Sequence, residues 1–114
     1  MISEETVKKI LQFTEDRDWD QFHSPENLAK SIAIEAGELL ECFQWSPDYD
    51  PEHTAEELAD VMNYCIQLAD KLSLDMDTIL LDKLAKNAKK YPVEKARGSN
   101  LKYTELEREA EDGK

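Results

Sequence analysis

Four carboxylates are the first residues in this sequence whose types and spacing could do chemistry. Glu35 and Glu38 stand three apart in "IAIEAGELLECFQW" (residues 32–45), and Glu57 and Asp60 stand three apart in "EELADVMNY" (residues 56–64). At about 100° per residue, acids at i and i+3 share one helix face with Cβ atoms roughly 5–6 Å apart. Each pair borders an apolar stripe. Beside the first run Leu28, Ile32, Leu39 and Phe43, widened by Ala29, Ala33, Ala36 and Leu40; beside the second run Leu58, Val61, Met62, Cys65, Leu68, Ala69 and Leu72. If the stripes pack together, the four acids converge. Converging carboxylates repel and lose solvation unless a cation compensates them. Oxygen-only ligands select Mg²⁺, Mn²⁺ or Ca²⁺ over Zn²⁺, and a Mg²⁺ site keeps positions for water and for phosphate oxygens of a substrate.

Spacing leaves a plainer reading open for each acid. Thr54 and Glu57 match a capping box, Thr-x-x-Glu, and Glu35 and Glu38 would also suit a solvated helix flank. Glu41 and Glu56 turn outward and read as surface charge. Farther along, Lys83, Asn87 and Lys90 fall at i, i+4 and i+7 with Lys86 alongside, a basic stripe able to contact phosphate and sugar. A solvated face near a helix C-terminus, where the dipole favours Lys, is the alternative. Trp19, Phe22 and Trp45 stand at helix boundaries, where rings either staple helix ends to the core or offer a platform to a base. His23 and His53 lack metal-ligand spacing, and His53, in an acidic turn, reads as solvent-exposed.

These residues need helices to position them. In 114 residues the chain holds three Gly and four Pro, too little punctuation for many short strands. One helix is expected over residues 3–17 with Ser3 as cap, and a second from the Ser24-Pro25 pair to residue 44 or 45. A third, capped by Asp50 or by Thr54, should end near Leu72, and a fourth should run from Met76 to about Tyr91, stopped by Pro92. Residues 1–95 then form one domain and 96–114 a charged tail with an ordered beginning. The expected fold class is all-α, a four-helix bundle-like arrangement. Its small core would gain from pairing with a second copy. The formal net charge of −12 argues against a nucleic-acid partner or an anionic membrane surface. No apolar run approaches a bilayer span, and "MISEETVKKI" lacks the pattern of a signal peptide, so the expected location is cytoplasmic. Cys42 and Cys65, at apolar helix positions, read as core thiols.

"EAGE" (residues 35–38) followed by "EELAD" (residues 56–60) resembles the E-x-x-E … E-x-x-D signature of the MazG-like all-α nucleoside triphosphate pyrophosphohydrolases. "RDWDQFHSPENL", "GELLECFQW", "EELADVMNY", "NAKKYP" and "ARGSNLKYTEL", in that order, are similar to its dCTP pyrophosphatase branch over nearly the whole chain. The resemblance implies Mg²⁺-dependent cleavage between the α and β phosphates, with Mn²⁺ as a possible substitute, releasing a nucleoside monophosphate and pyrophosphate as nucleotide-pool housekeeping. It implies Glu35, Glu38, Glu57 and Asp60 as metal ligands; Glu35 and Glu38 are the expected catalytic acids, and the chemistry suggests Glu38 as the acid that takes a proton from water. Trp19, Asp20, Gln21, Phe22, His23, Trp45 and Tyr64 would form the nucleotide pocket. Lys83 and Asn87 would contact phosphate or sugar, and Arg97 and Lys102 would act on phosphates from a neighbouring subunit of a dimer or dimer of dimers. Some relatives place a histidine on the first helix; none precedes His23 here, so the base preference differs or is set elsewhere. Alternative readings are a sibling specificity, dUTP or phosphoribosyl-ATP, and a non-catalytic helical dimerisation module. A di-iron bundle would need Glu-x-x-His motifs, which neither histidine provides.

Overall fold

The computed structural model describes residues 2–98, and their secondary structure is helical, without a strand among them. Helix α1 spans Glu4–Asp16, α2 Pro25–Glu41, α3 Pro51–Lys71, α4 Met76–Lys90 and α5 Val93–Ala96, with a 3-10 turn at Asp20–Phe22 before α2. Lys102 and the rest of the tail motif beyond Gly98 lie outside the described residues.

Local chemistry accounts for the boundaries. The Ser3 hydroxyl accepts from the Thr6 N–H, and the Ser24 hydroxyl accepts from the Asn27 N–H with Pro25 in the first turn. Asp50 caps α3 through its carboxylate, which accepts from the Glu52 N–H 3.1 Å away. That removes Thr54 as the cap: it lies inside the helix, so the capping-box reading of Glu57 fails and the carboxylate is left for other work. Helix α2 ends at Glu41, three or four residues short of the expected limit, because residues 42–44 close into turn hydrogen bonds on Leu39, Leu40 and Glu41. Trp45 therefore stands in the link to α3 instead of closing a helix.

The chain divides into two compact units, residues through Asp75 and residues from Met76 onward. In the first unit α3 packs along α2 and also against α1. Leu28, Ile66 and Ala69 are its buried apolar residues, Leu28 with no exposure at all. Between α1 and α3 lies a buried polar chain. The Thr14 hydroxyl sits 3.4 Å from both the Ile10 carbonyl and Gln67 Oε1 and donates to one of them at a time, while Gln67 Nε2 donates to Asn63 Oδ1 at 2.8 Å. Such groups survive burial because they satisfy each other.

The expected core face of α3 is only half correct. Val61, Cys65 and Leu68 are half-buried and Ala69 buried, but Leu58, Met62 and Leu72 are exposed, as are Phe43, Leu40, Ala29, Ala33 and Ala36 of the α2 segment. The half-buried positions Thr54, Glu57, Val61, Tyr64 and Leu68 share one face instead, the one that carries Glu57. Each long helix thus has two apolar sides, one used inside the unit and one not. Cys42 and Cys65 are free thiols, both half-buried. The second unit carries α4 and α5. Along α4, Lys83 and Lys86 are exposed and Asn87 is half-buried, while Arg97 follows α5 at the surface.

Candidate metal and active site

Glu35 and Glu38 rise from the middle of α2, Glu57 and Asp60 from the first half of α3, and the packing of these two helices brings them together. One carboxylate oxygen of each of Glu35, Glu57 and Asp60 lies within 4.8 Å of the others. Glu38 stands nearby, and its influence raises the carboxyls of both Glu35 and Glu57. Glu35 Oε2 and Glu57 Oε2 are buried with no hydrogen-bond partner. A buried carboxylate oxygen without a donor is costly, and a row of them aimed at one point is what a hard cation satisfies. The oxygen-only donor set therefore fits Mg²⁺ or Mn²⁺.

The electrostatics say the same. The Glu35 carboxyl is pushed up to about 7 from an ordinary 4.5, first by burial and then by its hydrogen bond with Glu38 and the negative charges of Glu38, Asp60 and Glu57. Glu57 is raised too, by burial and by Glu38, against a lowering pull from His53. His53 is solvent-exposed, as expected, and its Nε2 also lies 3.7 Å from Glu57 Oε1, one turn earlier on α3. The i, i+4 spacing that produces this contact is present in the sequence.

The aromatic set divides. Trp19 meets Phe13 edge-on at 5.8 Å and keeps 45% exposure, and Phe22 is exposed. His23 faces Tyr64 edge-on at 6.3 Å, which links the 3-10 turn to the helix bearing Glu57 and Asp60. Its Nδ1 is buried without a partner. Gln21 spends its amide on Asp18, and Asp20 receives the Lys71 ammonium at 2.6 Å. Trp45 is 88% exposed and touches none of these groups by a defined ring contact; its neighbours Phe43 and Tyr49 pair with each other at 5.0 Å. Between α1, the 3-10 turn and α3 lies a cavity of about 470 Å³, walled by Thr14, Asp20, His23, Leu28, Gln67 and Lys71 among others. That volume is in the range of small-molecule sites. Gln67 and Lys71 escaped the sequence reading because a buried Gln and a half-buried Lys have no periodic signature.

Comparison with known proteins supplies what geometry alone does not. The family model described as MazG-like matches residues 30–106. The chain is 40% identical to dCTP pyrophosphatase 1 of Bos taurus over 91% of its own length and 70% of the relative's. It is 41% identical to dCTP pyrophosphatase 1 of Homo sapiens over 90% of its length and 66% of the relative's. Among solved structures, a pyrophosphatase from Archaeoglobus fulgidus superposes with a TM-score of 0.71 at 38% identity, over 78% of this chain and 91% of that one. Two successive helices that converge four acids, in a chain matched along this length and at this identity, make it a member of the MazG-like family.

Proposed function

We propose that this protein is a dCTP diphosphatase-like nucleoside triphosphate pyrophosphohydrolase, acting on dCTP or a modified dCTP with Mg²⁺ to give the monophosphate and pyrophosphate. The observation that carries the reading is the α2–α3 acid set with its two unpartnered buried carboxylate oxygens, in a chain about 40% identical to enzymes named for dCTP cleavage. Glu35, Glu38, Glu57 and Asp60 would hold the ion. When bound, a divalent cation neutralises the triphosphate and lowers the pKa of a water. Glu38, an exposed partner of Glu35 and Glu57, then takes the proton of the water that adds to the α phosphorus as the bond to the bridging oxygen breaks. Residues 19–23, Trp45 and Tyr64 hold base and sugar, a role supported by the cavity that Asp20 and His23 help to wall. Lys83, Asn87, Arg97 and Lys102 are assigned to phosphates and sugar on the motif resemblance alone.

The working form is a homodimer or dimer of dimers, because the apolar sides of α2 and α3 left uncovered in the unit suit a second copy. Residues 1–95 act as the hydrolase domain and 96–114 as its tail. No helix among the described residues is long and apolar enough to cross a membrane, in keeping with housekeeping of nucleotide pools in the cytoplasm.

Pyrophosphate release decides the matter. Purified protein with Mg²⁺ and dCTP is expected to yield pyrophosphate, not orthophosphate, as first product. Activity that is absent for every deoxynucleoside triphosphate, or that begins with orthophosphate, would overturn the reading. A panel of natural and modified triphosphates ranks the bases, with dUTP and phosphoribosyl-ATP as the sibling substrates to be excluded.

A further inference from the structure

His53 stands over the outer edge of the acid set. Its side chain is 57% exposed, whereas that of Glu57, against which it rests, is 15% exposed. Other basic groups of the same unit with defined partners are engaged elsewhere: Lys9 with Glu5, Lys30 with Glu26, Lys71 with Asp20, and Arg17 over the Phe13 ring. Of this group, His53 alone has a member of the acid set as its neighbour.

The 3.7 Å separation from Glu57 Oε1 exceeds hydrogen-bond length, so the contact leaves the imidazole donor uncommitted. An exposed i, i+4 pair of this kind contributes little to helix stability, which makes a purely structural purpose weak. An imidazole carries at least one N–H in either charge state. The imidazole beside Glu57 is open to solvent, the side from which a polyphosphate drawn to the acids through a cation would approach.

We infer that His53 is a substrate-binding residue of this site that donates an N–H to the polyphosphate of the nucleotide as it docks on Glu57 and its companions. This rests on the pyrophosphohydrolase reading and deepens it: the site grips its anion with a donor on α3 itself, placed one turn before Glu57.

The test compares wild type with His53→Ala and His53→Asn, the latter keeping a short N–H donor. For His53→Ala, kcat/KM for dCTP is expected to fall about tenfold through a rise in KM, the worth of one hydrogen bond to a charged group at a partly wet site. The Kd of a non-hydrolysable α,β-imido dCTP should rise alike, His53→Asn should recover part of the loss, and Mn²⁺ binding without nucleotide, read by electron paramagnetic resonance, should not move. An unchanged KM in both variants, or Mn²⁺ affinity falling in step with KM, overturns the inference, the second because His53 would then act only by holding Glu57. Wild-type protein that releases no pyrophosphate brings down the parent reading and this inference together, whereas an active wild type with unaltered variants brings down this one alone.

Discussion

At the scale of single residues, the acids of α2 and α3 differ in duty. Glu35 is the most strained of them: it keeps its proton up to about pH 7 in the folded chain but only to about 4.5 when unfolded. Between those values folding takes up a proton, so stability of the metal-free protein is expected to fall as pH rises through that window and to level off above it. Saturating Mg²⁺ should flatten the profile by compensating the carboxylate, and Glu35→Gln should flatten it without metal. Thermal midpoints measured at steps from pH 4.5 to 8 check both, and a midpoint that climbs through the window would contradict the assignment. Glu38→Gln removes the proposed proton acceptor while keeping size and polarity. Its kcat is expected to drop by about 10²–10⁴-fold with the far-ultraviolet circular dichroism unchanged, and full activity in that variant would dismiss Glu38 from the role.

Between elements, the site depends on how α3 is started and how α2 lies on it. Asp50 sets the first turn of α3, and with it the register of Glu57 and Asp60. Asp50→Ala should cost about 1 kcal/mol in urea denaturation, and Thr54, one turn inside, does not substitute. Leu28, fully buried near the start of α2, anchors that helix, so Leu28→Ala should cost about 2–5 kcal/mol. A loss below 1 kcal/mol would mean that the packing around it closes the gap. Much of this level was legible beforehand. Ser3, Ser24-Pro25 and Asp50 announce helix starts by the chemistry of the first turn, which is local. The end of α2 was not legible, because residues 42–45 are compatible with a helix and only the turn hydrogen bonds stop it.

For the whole molecule, the exposed Leu40, Leu58 and Met62 mark sides of α2 and α3 that the first unit leaves uncovered. An acidic chain with such faces is expected to bury them against another copy. Leu40→Glu combined with Met62→Glu should reduce the mass found by light scattering to that of one chain, and an unaltered oligomer would place the interface elsewhere.

What the sequence by itself determined is what short-range rules govern: the helices, their caps, the i, i+3 pairing of the acids and, through a resemblance carried by ordered motifs, the family. The approach of Glu35, Glu57 and Asp60 to within 4.8 Å of one another was foreseeable because periodicity puts each pair on the margin of an apolar stripe. Only the tertiary structure decided which of two apolar sides each helix turns inward. Periodicity reports that Leu58 and Leu68 are both apolar but not which one another helix covers, since α3 has apolar residues around more than one face. The same holds for Glu57: its sequence fits a helix cap and a metal ligand equally, and the position of Asp50 removes the cap while the unpartnered, buried Glu57 Oε2 supports the ligand role proposed above. The contact of His53 with Glu57 has a local cause, since a side chain at a helix start meets the residue one turn above it.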